Sequence, residues 1–428
     1  MSKRIVLTTF GTLGDLYPYI AIALELQKRG YEVVIATSAS ENYDTKVESE
    51  GIEFYPVRPH SLRWEEDKEW RKLLMDSGQG IEYIINYVFM PHLRASYSDI
   101  MEATEGADLL VTHPLSFAGS LVAEKRGIPR VSTVLSPSSF QSVYESSGVS
   151  ISAYDRAMEW VKKDGYQRQM RWQTRFWSAP VRQLRRELGL PSSYDPLCEG
   201  QHSPDLVLAL FSQVLGTPQP DWPPQTRQTG FAFYDGPGPT GLQNKVSKGL
   251  SPQLMQFLEE GSPPIVFTLG SSAVLAPGNF YWEGAQAAHQ LGYRSVLLMG
   301  SEADRVPSNL LPPGAIAVNY APHSLIFPHS AAIVHHGGVG TTGQALLSGR
   351  PMLVVPHNYE QPDNAARVVR LGVARQCDQE NFNTSVVMRE LDELLHKPSY
   401  AANAIEVSHI VKKEDGTRKA SDLIEVFL

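Results

Sequence analysis

Short apolar runs rich in β-branched residues recur along the chain, alternating with stretches whose apolar positions fall at helical spacing. A first series comprises residues 4–10 (RIVLTTF), 32–37 (EVVIAT), 108–112 (DLLVT), 129–135 and 205–210 (DLVLAL), the last of which is expected to close the first unit. A second comprises residues 265–270 (IVFTLG), 295–299 (SVLLM), 315–319, 331–334 and 352–355. Runs this short, without alternation, predict strands covered on both faces, as in parallel sheets. After the first run the chain turns at residues 11–15 (GTLGD) into a helix with Ile20, Ala23, Leu24 and Leu26 on its apolar side, and Gly30 stops it. This alternation predicts an α/β protein.

A chain of 428 residues is long enough for more than one core. Residues 217–225 are proline-rich and residues 236–249 are polar and turn-rich, so a linker is expected there. The expected divisions are 1–234, a linker at 235–252, 253–405, and a terminal helical segment at 406–428. The net charge of −8 argues against nucleic acid as a partner. Cys198 and Cys377 are far apart and in no metal-ligand spacing. The N-terminus lacks the apolar core of a signal peptide, and no apolar run approaches the roughly 20 residues that span a bilayer. A cytoplasmic protein is therefore expected.

One stretch departs from the overall acidity. Residues 156–186 hold nine Lys/Arg against Glu159 and Asp164, with Trp160, Tyr166, Trp172, Phe176 and Trp177 interleaved. Such a segment offers either a peripheral contact with an anionic membrane or a solvated helix face whose aromatics pack inward.

The densest chemistry lies between residues 331 and 367. An apolar run leads into His335, His336, Gly337, Gly338, Val339, Gly340, Thr341 and Thr342, a helical stretch follows, and then a second apolar run. Strand, glycine turn and helix start form a layout in which free backbone N–H groups cradle a phosphate. The lysine of the nucleoside-triphosphate loop is missing, and histidine stands in as the side-chain donor. The glycines at residues 11–15 invite a dinucleotide interpretation, which fails twice. GxGxxG spacing is absent, and the second run ends at Thr37 and Ser38 without an acid for ribose.

HHGGVGTT, GRPMLVVP and EQPDNAARV, in this order over residues 335–368, resemble the donor-binding signature of family 1 glycosyltransferases. Gly14, Asp15 and Pro18 resemble the first loop of the bacterial and sterol branches. PDWPPQTRQTGFAFYDG (residues 220–236) and FTLGSS resemble bacterial members such as the rhamnosyltransferase of rhamnolipid synthesis. The resemblance implies the GT-B fold, two Rossmann-like domains facing across a cleft, with a final helix that returns to the first domain. It also implies transfer of a hexose or deoxyhexose, rhamnose or glucose, from a thymidine or uridine diphosphate sugar (TDP- or UDP-sugar). The acceptor is a hydroxyl of a small lipophilic molecule, such as a flavonoid, phenol or lipid.

Carried over residue by residue, His336 would donate to the diphosphate, with Gly338, Gly340 and Thr341 as backbone and hydroxyl donors. Ser271 of TLGSS would also reach the phosphates. Tyr320 and His323 stand where relatives have Trp-x-Pro-Gln, which stacks on and pairs with the base. Glu360 and Gln361 match the Asp-Gln pair that binds the sugar hydroxyls. Gln344 replaces a glutamate that takes both ribose hydroxyls, which tilts the expectation towards a thymidine donor. No Asp-x-Asp pair occurs, so no metal is expected, and no cofactor beyond the sugar nucleotide as co-substrate.

Asp15, in the first turn of its helix, is the candidate base, against the alternative of a plain helix cap. His113 follows the third run where relatives place the aspartate that orients a catalytic histidine. The two residues are therefore candidates for an inverted dyad. Residues 61–99, with Trp64, Trp70, Tyr83, Phe89 and Met90, form an insertion where α/β sheets place substrate contacts. Phe89, Met90 and Phe140 are the candidate acceptor contacts, each also readable as local core. Two other classes remain: a nucleotide-sugar epimerase of the same fold, and a non-catalytic sugar-nucleotide binder.

Overall fold

The computed structural model describes residues 2–39, 42–60, 80–142, 144, 172, 174–191, 197, 200–236, 249–274, 277–305 and 308–428. Trp64, Trp70, Trp160, Tyr166, Cys198, most of the expected linker and the first half of residues 156–186 lie outside them.

Two parallel sheets carry the fold. The first holds β1 (Arg4–Thr8), β2 (Glu32–Thr37), β3 (Glu53–Pro56), β4 (Leu109–Thr112), β5 (Arg130–Val134), β6 (Leu206–Ala209) and β7 (Thr226–Gln228). They lie side by side in the order 3-2-1-4-5-6-7. The second holds β8 (Ile265–Thr268), β9 (Ser295–Leu298), β10 (Ala315–Val318), β11 (Ala332–His335), β12 (Met352–Val354) and β13 (Ala374–Gln376), in the order 10-9-8-11-12-13. This is the GT-B plan of two doubly wound units.

Central strands are buried throughout except at Arg4, the half-buried first residue of β1, as their apolar runs require. The expectation that residues 205–210 close the first sheet is corrected: β7 adds an edge beyond β6. Its sequence, TRQ, is polar and half exposed, so it carries no apolar signature. The terminal segment is likewise not one helix. Helix Pro398–Val411 ends, and helix Gly416–Glu425 restarts with the Asp415 carboxylate accepting the Arg418 N–H. That last helix lies on the first helix of the chain, Leu13–Lys28, where Ala420 and Ile424 pack with Leu16 and Ile20. Arg29 reaches both Asp422 and Glu425 from below it.

The halves also share apolar packing. Phe140, Phe211, Trp222 and Phe231 from the first join one buried cluster with Ile333, Leu346 and Met352 of the second. No helix among the described residues is long and apolar enough to cross a membrane.

Candidate functional site

Both strand orders reverse at one place, between β1 and β4 and between β8 and β11. Crossovers leave such a seam in opposite directions, so the loops at its carboxyl end diverge and open a crevice. Registers set those loops level: Thr8 pairs with Thr112, and Thr268 with His335. Asp15 and His113 therefore flank the first seam, and Ser271 and His336 flank the second.

At the second seam the chain leaves β11 through His335 and His336 and enters helix Val339–Ser348. The His335 ring is fully buried, and its Nδ1 accepts the Gly337 N–H at 3.1 Å, which pins the turn. Its Nε2 lies 3.4 Å from the Met352 sulfur. The His336 ring is wedged between glycines: a Cβ on Gly270 would stand 2.5 Å from it, and one on Gly338 would stand 2.4 Å away. Burial, with electrostatic repulsion from the His335, His357 and His323 rings, drives the His336 pKa well below the ordinary value. The ring is thus neutral, a hydrogen-bonding group rather than a cation. Among the described residues its buried Nδ1 has no partner, and neither has the Thr342 hydroxyl, the Gln344 Oε1 or the His357 Nε2. Orphaned polar atoms on and beside the glycine-turn helix mark a place suited to a polar ligand.

At the first seam Asp15 is both cap and neighbour. Its Oδ2 accepts the Thr12 N–H (2.7 Å) and the Thr12 hydroxyl (3.1 Å), completing a capping box. Its Oδ1 lies 3.4 Å from His113 Nε2. His113 Nδ1 accepts the Leu115 N–H, so the ring proton sits on Nε2 and points at the carboxylate. The carboxylate is the more open of the two, with 28% of its side chain exposed against 6% for the histidine.

Glu360, just before helix Gln361–Arg370, links the seams. Burial pushes its carboxyl up from 4.5 to about 7 and the charge of Asp15 adds to that, while its own and the Val339 backbone N–H groups oppose it. Gln361 is turned inward: its Oε1 accepts the His357 and Asn358 N–H groups, and its amide donates to Asn358 Oδ1 at 3.4 Å. Gln344 is buried on the glycine-turn helix. Thr341 is buried beside it, while Gly340 is exposed. The Tyr320 hydroxyl donates to the Gly236 carbonyl, and burial raises its pKa. His323 stacks on Phe327, with ring centroids 4.4 Å apart. The Asp235 carboxylate accepts the His323 and Ser324 N–H groups, tying the inter-sheet segment to the start of helix His323–Ile326.

Comparison with known proteins decides the family. Residues 5–145 match the glycosyltransferase family 28 N-terminal domain, and residues 295–417 match the erythromycin biosynthesis protein CIII-like C-terminal domain. O-mycaminosyltylonolide 6-deoxyallosyltransferase of Streptomyces fradiae is 30% identical, over 99% of this chain and 97% of that protein. The chain is a family 1 glycosyltransferase. The sterol 3-beta-glucosyltransferase of Leptosphaeria maculans is 28% identical over 98% of the glycosyltransferase, which spans only 28% of that longer protein. Among solved structures, the glycosyltransferase of kitacinnamycin superposes with a TM-score of 0.69 (23% identity, 100% of this chain, 99% of that one). The glycosyltransferase VinC in complex with DTDP gives 0.67 (21% identity, 99% of both chains). The fold of these neighbours is that of the glycosyltransferase.

The expected acceptor contacts sit elsewhere than on an open wall. Phe89 and Met90 are buried in the core behind the first sheet, with Phe89 edge-on to Phe10 and Phe117. Phe140 stacks on Trp222 at 4.2 Å within the packing shared by the two halves. Their apolar rings gain more from close packing than from facing water, so the structure gives all three a packing role. Sequence reasoning missed Asn364. It is fully buried, its Nδ2 donates to the Gly337 carbonyl at 2.9 Å, and its Oδ1 accepts the Ser136 hydroxyl of the other half at 3.3 Å. Its signal was present, an amide inside the signature segment EQPDNAARV, three residues after Gln361.

Proposed function

We propose that this glycosyltransferase moves a hexose or deoxyhexose from a TDP- or UDP-sugar to a hydroxyl of a hydrophobic small molecule, with inversion and without a metal. The observation that carries the proposal is the opposition of the two seams. One holds a carboxylate–imidazole pair, and the other an anion cradle with unpartnered polar atoms.

Asp15 takes the acceptor's hydroxyl proton as its oxygen attacks the anomeric carbon, and His113 holds the carboxylate in place. The bond from that carbon to the diphosphate breaks, and its electron pair leaves on the phosphate oxygen. Neutral His336, Thr341 and the N–H groups of the glycine-turn helix receive that charge. Glu360 binds the sugar hydroxyls. Gln344, buried with its Oε1 free, offers one acceptor to the pentose of the nucleotide, which favours a thymidine donor. The relatives' names, a 6-deoxyallosyltransferase and a sterol glucosyltransferase, and the DTDP held by VinC, support the substrate classes.

The test is incubation with TDP- and UDP-sugars, first alone and then with a panel of macrolide aglycones, sterols and phenols, with and without chelator. Transfer is expected only with an acceptor, with inverted product and no chelator effect. Sugar isomerised without acceptor would make the protein an epimerase, and tight binding without turnover a binder.

A further inference from the structure

The segment ending in helix Ala179–Glu187 presents a face that the transfer chemistry does not use. Trp172 and residues 174–177 are helical. Ser178 donates its N–H to the Thr174 carbonyl and Arg182 donates to that of Ser178, so one helical phase runs through both pieces. In that phase Thr174, Ser178, Val181 and Arg185 turn inward and are buried. Trp172, Arg175, Phe176, Ala179, Gln183 and Arg186 recur at three- and four-residue spacing on the other side, and all are exposed.

The two aromatics are 63% and 65% exposed, and their rings meet edge to face at 5.6 Å, so they contact each other outside the body of the protein. No acid occurs between Asp164 and Glu187, and Glu187 is engaged by Arg94. The face is thus apolar and cationic in a chain whose net charge is −8. Tryptophan and arginine side by side suit the boundary between acyl chains and headgroups, where the ring is half wet and the guanidinium meets phosphate. Single-stranded nucleic acid fits less well, because rings at 86° to one another offer no pair of parallel faces for successive bases.

We propose that this face docks the enzyme on an anionic lipid surface. Such contact would bring the enzyme to a bilayer in which hydrophobic acceptors dissolve.

The experiment is co-sedimentation of the full-length protein with phosphatidylcholine vesicles, with and without phosphatidylglycerol, at low and high salt. Binding to the anionic vesicles is expected, and salt should release it. Arg175→Gln/Arg186→Gln is expected to weaken it roughly 10-fold or more, since each cation near such a surface counts. Trp172→Ala/Phe176→Ala should weaken it too, with melting temperature and turnover of a water-soluble acceptor unchanged. Lack of binding to anionic vesicles at low salt would overturn the proposal. So would binding that both double variants retain. Loss of turnover on the soluble acceptor with vesicle binding intact would make the face a wall of the acceptor site, and displacement of vesicles by an oligonucleotide would make it a nucleic-acid contact.

Discussion

Asp15 carries two duties on its two oxygens, and a single substitution separates them. Asparagine keeps an oxygen that can reach back from the third helical position to the Thr12 N–H, so Asp15→Asn is expected to fold with its melting temperature nearly unchanged. It cannot take a proton, and turnover is expected to fall by about 10²–10⁴ with donor affinity retained, less for acidic phenols than for alkanols. His113→Ala should share part of the loss, and the double variant should lose less than the sum, because the two groups touch. Full activity of Asp15→Asn on an alkanol would move the base elsewhere. Glu360 gives a pH signature. With its carboxyl raised to about 7, it is protonated in mildly acidic buffer and cannot accept from sugar hydroxyls with both oxygens. The KM for sugar nucleotide is expected to rise as pH falls through about 7, and Glu360→Gln to flatten that profile. The sign for stability is opposite. A carboxyl whose folded value lies above its unfolded one imposes no penalty below pH 4.5, and the penalty grows as pH rises through about 7. Glu360→Gln should therefore raise the melting temperature in alkaline buffer and leave it unchanged in acid.

The glycine turn works as an element because neighbours hold it: His335 takes the Gly337 N–H and Asn364 takes care of the Gly337 carbonyl. Asn364→Ala would orphan that buried carbonyl and leave the Ser136 hydroxyl only Ser138 as a partner, and the orphaned group costs about 1–3 kcal/mol. Thermal unfolding should show the loss, and the KM for sugar nucleotide should rise as the turn loosens; Asn364→Asp, which keeps an acceptor for Ser136 but sets a buried carboxylate against the Gly337 carbonyl, should repair neither. Elements with a one-sided chemical demand were legible in the sequence. The central strands β1, β4, β8 and β11 announce themselves as apolar runs, and the phosphate cradle as glycines before a helix. Edge strands β3, β7 and β13 did not, since EFYP, TRQ and ARQ need satisfy only one neighbour and half face water. Phe89, Met90 and Phe140 were ambiguous for a physical reason: an apolar ring looks the same in sequence whether it packs inward or lines a pocket.

Across the whole molecule, long-range pairs join the halves. Arg367 donates to the Leu215 carbonyl at 2.7 Å, Ser136 meets Asn364, and the last helix grips the first. None of these is written in local pattern, because each depends on two segments that only the fold brings together. Ile424 is fully buried against the first helix, so Ile424→Ala is expected to cost about 2–5 kcal/mol, read as a lower melting temperature, with kcat on the remaining folded enzyme preserved. An unchanged melting temperature would show that the last helix only rests on the surface. The same helix has a consequence for how the chain is threaded. Its first residue, Gly416, abuts the backbone of Gly230 and Phe231, and Glu414 accepts from the Ser212 hydroxyl. The polypeptide thus departs from the first half and re-enters it at adjoining points, so everything between is a cassette with its two ends touching. A foreign sugar-nucleotide half spliced in at residues 231 and 416 would leave the remaining half uncut, which makes this junction the place to swap donors while keeping the acceptor.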